Sequence, residues 1–352
     1  MLTIEITTTL GPVLINYDTT LLAGDRKDKQ KQHDGFFEKF TNSWVTLIQQ
    51  ERHKDAERVW AKALEIAAVY ETEHKNSIHK GTPYYFWGMT CILGGDLDIG
   101  FHLMHQALEE DKKNSKATGN ASFNGTPAYA FVKMDYLNQN QAFRSKVMEV
   151  ATFVNGMLQR YQKSISGMLD IGVLRTKVLE NDSLGDVPFF LVYNFFRLKK
   201  LLDAKKEIRQ NDFASLLQVQ TILGFCIVAE ELLRNVWVKK ESKGKQESST
   251  WPVYLGMFAS ENSLPNLTQD EAGKINGKFS DDFNEALKVL LASGYTYKNG
   301  NKPSPIEEDL LILYGFRNTG AHDLNSKKLV YENFEKISQK VLDALFFIIE
   351  KR

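Results

Sequence analysis

Several short pieces of sequence recur in the first half of the chain at one fixed interval. Each pair is separated by 44 positions: Gly-Thr-Pro begins at Gly81 and Gly125, Ala-Leu-Glu begins at Ala63 and Ala107, and a tyrosine follows at Tyr85 and Tyr129. A repeat of this length is typical of stacked helical hairpins, because a single hairpin cannot bury its apolar face alone. The repeat therefore predicts an all-α fold for this part of the chain.

The repeated segments contain helix-start and turn signals. In Gly-Thr-Pro we expect Thr to be the N-cap and Pro to take the first helical position. The segment 94–96, Gly-Gly-Asp, predicts a tight turn between two helices. The stretch from Tyr84 to Lys112 resembles a tetratricopeptide-type unit with Ala107 at a close-packing position, although the interval is longer than that family's usual unit. We expect a helical repeat-like domain over residues 36–206.

The N-terminal segment has a different pattern. Leu2, Ile4 and Ile6 alternate with other residues, and an apolar run at 13–15 follows a Gly-Pro pair. Alternation of this kind predicts β-strands, and two such runs separated by a Gly-Pro pair predict a small hairpin. We expect residues 1–35 to form an arm or hairpin packed on the helices that follow.

Composition limits the class of protein. A chain of 352 residues predicts two domains. The 44 basic and 44 acidic residues balance, so any nucleic-acid site must be local. Two distant cysteines, Cys91 and Cys226, argue against a disulfide framework or structural zinc. The N-terminus lacks a signal-peptide pattern, and apolar runs such as 341–349 are shorter than the roughly 20 residues that span a bilayer. We expect a cytoplasmic protein with no membrane segment.

Residues 207–352 have the pattern of a C-terminal helix bundle, joined to the first domain at the basic stretch 197–206. A long helix is predicted from Phe213, with an apolar stripe that includes Cys226 and also Glu230. A carboxylate on an apolar face is uncommon unless it has a partner. Further helices are predicted at 281–292, 305–324 and 328–351, with loops at 259–279 and 294–304.

One short motif in this bundle suggests chemistry. Arg317 is followed directly by Asn318 and, after three more residues, by His322, and the segment before it, 310–316, is apolar. Arginine is a permanent charge whose fork matches phosphate oxygens. Histidine gains and loses a proton near neutral pH. An Arg–His pair on a hydrophobic scaffold is therefore suited to phosphodiester cleavage.

This C-terminal part resembles the HEPN superfamily. Members of that superfamily are small all-α bundles, many of them metal-independent ribonucleases, whose motif is an arginine, a polar residue and a histidine after four to six intervening residues. Arg317, Asn318 and His322 match the motif, and its place just before the final helix matches as well. The long helix with an inward acidic residue, here Glu230 or Glu231, also matches. The resemblance covers about 40% of the chain.

The resemblance implies a ribonuclease that needs no metal or other cofactor. The RNA 2′-hydroxyl would attack the adjacent phosphorus, with His322 as general base or acid and Arg317 stabilising charge on the phosphoryl oxygens. Asn318 would orient Arg317 or donate to the phosphate, and Glu230 would position Arg317. The products would carry a 2′,3′-cyclic phosphate and a 5′-hydroxyl. The resemblance also implies a homodimer that brings two motifs together, and a role as a regulated toxin or antiviral-defence effector.

Other interpretations of the same residues stay open. Arg317 could form a purely structural ion pair with Glu230, and His322 could be a helix C-terminal residue favoured by the macrodipole. The protein would then be a non-enzymatic helical-repeat adaptor whose HEPN-like part is a dimerisation module. On a straight helix, five steps of about 100° place Arg317 and His322 roughly 140° apart, which disfavours a site built from one motif.

Two further patterns carry less weight. Arg26 and His33 have the same type of spacing, but they lie in a hydrophilic run, and we discount them. Glu71 and His74 have the spacing of a di-iron bundle ligand pair, but such sites need that pair twice, and we predict no metal. The expected partners are therefore RNA, a second copy of the chain, and a protein or small-molecule trigger at the repeat domain.

Overall fold

The computed structural model of the protein describes residues 1–119, 123–204, 212–241, 251–320 and 327–352. In this part of the chain, 76% of the residues are helical, and the fifteen helices are accompanied by a sheet of only two strands. The all-α character predicted from the repeat is therefore confirmed. The chain forms two compact units, Met1–Ala151 and Thr152–Arg352.

The first unit begins with the hairpin and continues as helices. Its strands are β1 (Leu2–Thr8) and β2 (Gly11–Tyr17), and its helices are α1 (Arg26–Gln49), α2 (His53–His74), α3 (Gly81–Leu93), α4 (Leu97–Thr118), α5 (Pro127–Val132) and the first part of α6 (Gln141–Ile165). Short 3-10 turns lie at Thr19–Leu22 and Tyr136–Asn138.

The predicted N-terminal hairpin is present. Strands β1 and β2 pair antiparallel, with Ile4 opposite Ile15 and Thr8 opposite Gly11. Gly11 has a φ of +112°, a conformation that favours glycine and lets the chain reverse direction. At the turn, the backbone N–H and the hydroxyl of Thr9 both donate to the buried carboxylate of Asp55 on α2. The hairpin is thus fixed to the helices by hydrogen bonds as well as by its apolar face.

Helices α3 and α4 form the hairpin that the Gly-Gly-Asp turn predicted. Gly95 in the turn has a φ of +89°, and the side chain of Asp96 caps α4 by accepting from Ile99 N–H. The two helices approach closely at a pair of glycines. A Cβ at Gly88 would lie 2.8 Å from the carbonyl oxygen of Gly100, so neither position has room for a larger residue.

The two Gly-Thr-Pro segments start their helices differently. In the second copy the prediction is confirmed: Thr126 is the N-cap of α5, its hydroxyl accepts from Tyr129 N–H at 3.4 Å, and Pro127 takes the first helical position. In the first copy the prediction is wrong. Helix α3 begins at Gly81, one residue before the threonine, and its N-cap, Lys80, makes no side-chain capping hydrogen bond.

The second unit contains the rest of α6 and the C-terminal helices. They are α7 (Ile171–Leu174), α8 (Val187–Ala204), α9 (Asp212–Glu241), α10 (Trp251–Glu261), α11 (Gln269–Asp281), α12 (Phe283–Leu291), α13 (Pro305–Gly315), α14 (Lys327–Glu332) and α15 (Phe334–Lys351). A 3-10 turn lies at Asp182–Leu184, and π turns lie at Arg175–Leu179 and Phe316–Gly320.

The division between the units differs from the expected one. It falls at Ala151, within α6, whereas the sequence predicted a boundary near residue 206. The reason is the packing of α8: Phe195 contacts Phe225 of α9 and Phe346 of α15, so α8 belongs to the core of the second unit. Two basic residues of the stretch expected to be the join, Lys205 and Lys206, lie outside the described residues.

Two secondary-structure predictions for the second unit are wrong. The stretch 259–279, expected to be a loop, contains the end of α10 and most of α11. Ala272, Ile275 and Phe279 of α11 are buried at helical spacing, although glycines and asparagines separate them. The last helix, expected to be continuous from residue 328, is interrupted between α14 and α15, where Asn333 is the N-cap of α15. Its side chain donates to the carbonyl of Leu329 at 3.0 Å.

One segment of α9, Ala214–Asn235, is long and apolar enough to cross a membrane by length and composition alone. The expectation that no segment reaches this length is therefore wrong. Within the fold, 56% of its most apolar window is buried, and a core helix of a globular protein has the same composition.

Candidate functional site

Helix α13 ends just before Arg317 and so determines where the Arg317 motif lies in the second unit. It begins with a capping box in which Ser304 N–H donates to Glu307 at 2.8 Å and Glu307 N–H donates back to the Ser304 hydroxyl at 3.4 Å. Every residue from Ile306 to Gly315 is buried. A helix buried on all sides has a fixed position in the core, so the residues that follow it start from a well-defined point.

The α-helix does not continue through the motif. Residues Phe316–Gly320 form a π turn, with hydrogen bonds to the fifth residue instead of the fourth. Single π turns inside or at the end of α-helices are frequent at functional sites. The 100° step of an α-helix therefore does not apply to residues 316–320, whereas the expected angle of roughly 140° between Arg317 and His322 stays a prediction. His322 itself lies outside the described residues.

Arg317 contacts the carboxylate that the sequence predicted as its partner. Its Nε donates to Oε2 of Glu230, which lies on α9. Arg234, one turn further along α9, places its Nη2 3.5 Å from the other oxygen of Glu230. Glu230 therefore lies between two guanidinium groups, whereas its neighbour Glu231 lies 3.4 Å from Arg234 and has no contact with Arg317 among the described residues. This geometry selects Glu230 over Glu231 as the acidic residue beside the motif.

Exposure distinguishes the two partners. The Glu230 side chain is 13% exposed, whereas the Arg317 side chain is 38% exposed. The carboxylate is therefore mostly withdrawn from water, and the arginine still reaches solvent. Because the contact engages Nε of Arg317, its Nη atoms are the ones that a phosphate could contact. An arginine whose Nε is held by a carboxylate and whose side chain still reaches solvent is suited to bidentate recognition of an oxyanion.

Asn318 is tied to a different helix. Its Nδ2 donates to Oδ1 of Asn276, on α11, at 3.1 Å. Asn276 lies in the stretch that the sequence pattern assigned to a loop, so this partner was missed. The amide pair joins the π turn to α11, and one N–H of Asn318 is committed to that contact.

Tight packing beneath the motif fixes the direction of the π turn. A Cβ at Gly315 would lie 2.2 Å from the ring of Phe279, so only glycine fits where α13 ends against α11. The next residue, Phe316, packs edge-on against Phe283 with ring centroids 5.1 Å apart. Cys226, one turn before Glu230 on α9, is fully buried, and this burial raises the pKa of its thiol well above the usual range. Cys226 is therefore a packing residue and not a nucleophile.

The competing Arg–His pair in the first unit has structural partners. Arg26 lies 3.0 Å from the carboxylate of Glu110 and donates to Ser77 and to the carbonyl of Ile78. His33 is completely buried, and its ring Nε2 lies 3.2 Å from the carbonyl oxygen of Gly24. Both side chains thus hold the start of α1 in place.

The histidine and glutamate with di-iron spacing also have other partners. Glu71 accepts from the backbone N–H of Ile78 at 2.7 Å and from Lys80 Nζ at 2.6 Å. His74 stacks on Tyr70, with ring centroids 3.9 Å apart. The contacts of Glu71 close the loop between α2 and α3.

Sequence reasoning missed a buried charged cluster in the second unit. Lys340 of α15 donates to Glu308 at 2.9 Å and to Asp309 at 2.7 Å, and all three side chains are largely buried. Burial raises the pKa of Asp309 to about 7, although Lys340 opposes this rise. Burial also raises the pKa of Asp343, one turn from Lys340, to about 6. The run Glu-Glu-Asp at the start of α13 was the available signal, but acidic residues in a first helical turn are usually exposed.

Comparison of the chain with known protein families, with curated proteins and with solved structures found no match.

Proposed function

We propose that this protein is a metal-independent endoribonuclease of the HEPN type, whose site is built around Arg317, Asn318, His322 and Glu230. The observation that supports the proposal best is the state of Arg317: a carboxylate holds its Nε, and 38% of the side chain is exposed. An arginine that a carboxylate orients and that still reaches solvent can receive a phosphate without losing that orientation.

The proposed reaction is transfer of the phosphoryl group to the neighbouring 2′-oxygen. A bond forms between the 2′-oxygen and phosphorus while the bond to the 5′-oxygen breaks. His322 removes the proton of the 2′-hydroxyl or supplies one to the leaving 5′-oxygen, and solvent water takes or gives the other proton. Arg317 stabilises the charge that develops on the phosphoryl oxygens, and its orientation is fixed before the reaction by Glu230. DNA lacks the 2′-hydroxyl and is not a substrate.

The proposal includes a homodimer in the cytoplasm. Two-fold dimers are the commonest oligomers. In a two-fold dimer, the motifs of the two protomers can lie in one shared cleft. It also includes a role as a regulated toxin or antiviral-defence effector, with a protein or small-molecule trigger acting at the first unit. Both parts rest on the resemblance of residues 207–352 to the HEPN superfamily.

The enzyme is tested with purified full-length protein and total RNA in the presence of EDTA. We expect the wild type to produce fragments with 2′,3′-cyclic phosphate and 5′-hydroxyl ends. Arg317→Ala and His322→Ala should lower the cleavage rate by about 100-fold or more, while circular dichroism stays close to wild type in both variants and the melting temperature stays close to wild type in His322→Ala. An RNA with a 2′-deoxy substitution at each cut site should remain intact.

Arg234→Ala is the matched control. Arg234 contacts the same carboxylate as Arg317, but it is more exposed, at 51%, and lies outside the motif. We expect this variant to cleave RNA at a rate within a few-fold of the wild type. Equal loss of activity in Arg234→Ala and Arg317→Ala would mean that the charge of the cluster matters and not the motif.

The adaptor is the second candidate, and the Arg317–Glu230 contact itself favours it, because the same ion pair also joins α9 to the end of α13. For an adaptor, Arg317→Ala would lower the melting temperature by several degrees and no cleavage would occur with any RNA. An adaptor would still form the dimer, which light scattering after gel filtration would detect.

A further inference from the structure

A polar cavity of about 320 Å³ lies in the first unit, between the start of α3, the start of α5, α4 and α1. Both Gly-Thr-Pro segments of the repeat line it. The other side chains that matter here are those of Gln30, His79, Tyr85, Asp111, Asn114 and Phe123. The repeat thus places two equivalent segments around a single cavity, which the sequence pattern did not predict.

A buried amide in this cavity lacks a partner. Asn114 is only 8% exposed, and its Nδ2 donates to Oε1 of Gln30 at 2.9 Å. Asn114 lines the cavity, and its Oδ1 has no hydrogen-bond donor among the described residues. Buried acceptors are nearly always satisfied in folded proteins. An unsatisfied acceptor in a cavity of this size therefore points to a ligand that brings an N–H or O–H donor.

The charges of the cavity neutralise one another. His79 Nε2 lies 3.1 Å from Asp111 Oδ1, and both residues are buried. Burial alone lowers the pKa of His79, but Asp111 and the charge of Asp34, 3.9 Å from its Nδ1, outweigh this effect and raise the pKa to about 9. His79 is thus a cation paired with carboxylates at neutral pH. Because His79 and Asp111 are paired with each other, the lining of the cavity does not favour an ionic ligand over a neutral one.

The ion pair is built into the start of α3. A Cβ at Gly81 would lie 2.1 Å from Asp111 Oδ1 and 2.8 Å from His79 Nε2, so glycine is required where the helix begins. The carboxylate of Asp111 therefore occupies the space next to the helix N-terminus, where a negative charge is favourable. That position is not open to a phosphate or another anion.

Two aromatic rings give the cavity flat apolar surfaces. The hydroxyl of Tyr85 donates to Gln139 at 3.0 Å and accepts from Asn140 N–H at 3.3 Å, which fixes the ring. Phe123 packs edge-on against Tyr129, with ring centroids 5.0 Å apart. Fixed rings beside hydrogen-bonding amides are typical of sites that bind planar heterocycles.

From these features we infer that the cavity binds a nucleobase, in the form of a nucleoside or a nucleotide whose phosphates extend outward. Asn114 Oδ1 is an unsatisfied acceptor, and the carboxamide of Gln30, its hydrogen-bond partner in the lining of the cavity, carries N–H donors. This pattern is complementary to an amino group beside a ring nitrogen, which adenine and cytosine present, and asparagine and glutamine commonly bind adenine in this way. The ring of the base would lie against Tyr85 or Phe123. Binding at this cavity does not depend on the proposed ribonuclease activity.

The test is isothermal titration calorimetry of the full-length protein with adenosine, cytidine, uridine and purine riboside, which lacks the amino group. We expect adenosine or cytidine to bind about tenfold or more tightly than purine riboside. Asn114→Leu, which removes the acceptor at similar volume, should weaken that binding by about tenfold or more. Asn42→Leu, a change of the same type on the exposed face of α1, should bind as the wild type does.

Two results would overturn the inference. One is that no nucleoside binds at millimolar concentration, either in calorimetry or in saturation-transfer NMR. The other is that purine riboside binds as tightly as adenosine and cytidine, because the amide pair would then not be in contact with the base. If Asn114→Leu does not fold, Gln30→Met takes its place, since Gln30 is only partly buried and its loss removes the donor of the same pair.

Discussion

The Nε of Arg317 donates a hydrogen bond to Oε2 of Glu230, a residue 87 positions earlier in the chain. The contact links the π turn after α13 to the middle of α9. It neutralises an acidic residue on a largely apolar face of α9. It also sets the direction of the guanidinium before any substrate arrives. Positioning and stability are therefore supplied by the same pair, and substitutions have to be chosen to separate the two effects.

Glu230→Gln separates them, because it keeps the shape of the side chain and removes the charge. The carboxamide oxygen of the variant would still accept from Nε of Arg317, so we expect the melting temperature to fall only slightly. If the ribonuclease proposal is correct, the cleavage rate should fall about tenfold or more, because the arginine loses the charged partner that orients it. The cleavage rate is measured under single-turnover conditions with an RNA substrate. Unchanged cleavage would show that Glu230 only stabilises the fold.

Gly315→Ala should destabilise the second unit. The added methyl group would lie 2.2 Å from the buried ring of Phe279, and overpacking of this kind typically costs about 1–3 kcal/mol. Urea denaturation measures the loss. The matched control is Gly273→Ala in α11, where a Cβ meets nothing within 4 Å. That change should be neutral or stabilise by about 0.5–1 kcal/mol, since alanine is the better helix former. Equal effects at the two sites would contradict the packing described for the end of α13.

The two threonines of the repeat provide a further matched pair. Thr126 caps α5 with its hydroxyl, whereas Thr82 lies inside α3 and is not its N-cap, because that helix begins at Gly81. Loss of an N-cap hydroxyl costs about 1 kcal/mol. We therefore expect Thr126→Ala to lower the free energy of unfolding by about that amount and Thr82→Ala to change it by clearly less. A larger effect at Thr82 would mean that the two copies of the motif start their helices alike.

The residues of the motif show what sequence reasoning could and could not find. The partnership of Arg317 with Glu230 was accessible, because a carboxylate on the apolar stripe of α9 requires a cation. The partnership of Asn318 with Asn276 was not, because the glycines and asparagines of α11 concealed a helix whose buried apolar face is only Ala272, Ile275 and Phe279. Those residues form a helix because α10 and α13 cover them, and propensity alone does not predict such tertiary support.

The cavity of the first unit was hidden for a related reason. The repeat predicted helical hairpins, and Gly-Thr-Pro predicted helix starts. That both segments face one cavity depends on how α1 and α4 pack, and this packing is not encoded in the spacing of the repeat. The unsatisfied oxygen of Asn114 is visible only when the partner of its amide nitrogen, Gln30 on α1, is known.

If the protein is a toxic ribonuclease, its activity should be visible in living cells. We expect induced expression of the wild type in a bacterial host to arrest growth and to lower the amount of intact RNA soon after induction. His322→Ala should permit growth at the same protein level, as measured by immunoblot. The cell supplies candidate triggers that a purified preparation lacks. Equal growth of the two strains, together with the absence of cleavage in vitro, would argue for the adaptor.

The stability of the second unit should depend on the protonation of Asp309. Its pKa is raised from 3.8 to about 7 by burial, so the folded state holds a proton that the unfolded state releases between these values. Stability from this group is therefore fully present below the unfolded-state pKa of 3.8 and is lost as the pH rises through about 7. The slope for one proton is at most about 1.4 kcal/mol per pH unit. Asp343, with a pKa raised to about 6, acts in the same direction.

Asp309→Asn isolates this contribution, because asparagine does not titrate. We expect the variant to gain stability relative to the wild type as the pH rises from about 5 to about 8, by on the order of 1–3 kcal/mol in total. Urea denaturation at each pH gives the difference. Asp281→Asn, at an exposed position, should show a difference that changes far less over this range. A flat difference for Asp309→Asn would mean that Lys340 keeps this carboxylate ionised in the folded protein at every pH in the range, and that the buried cluster is a salt bridge and not a proton-binding site.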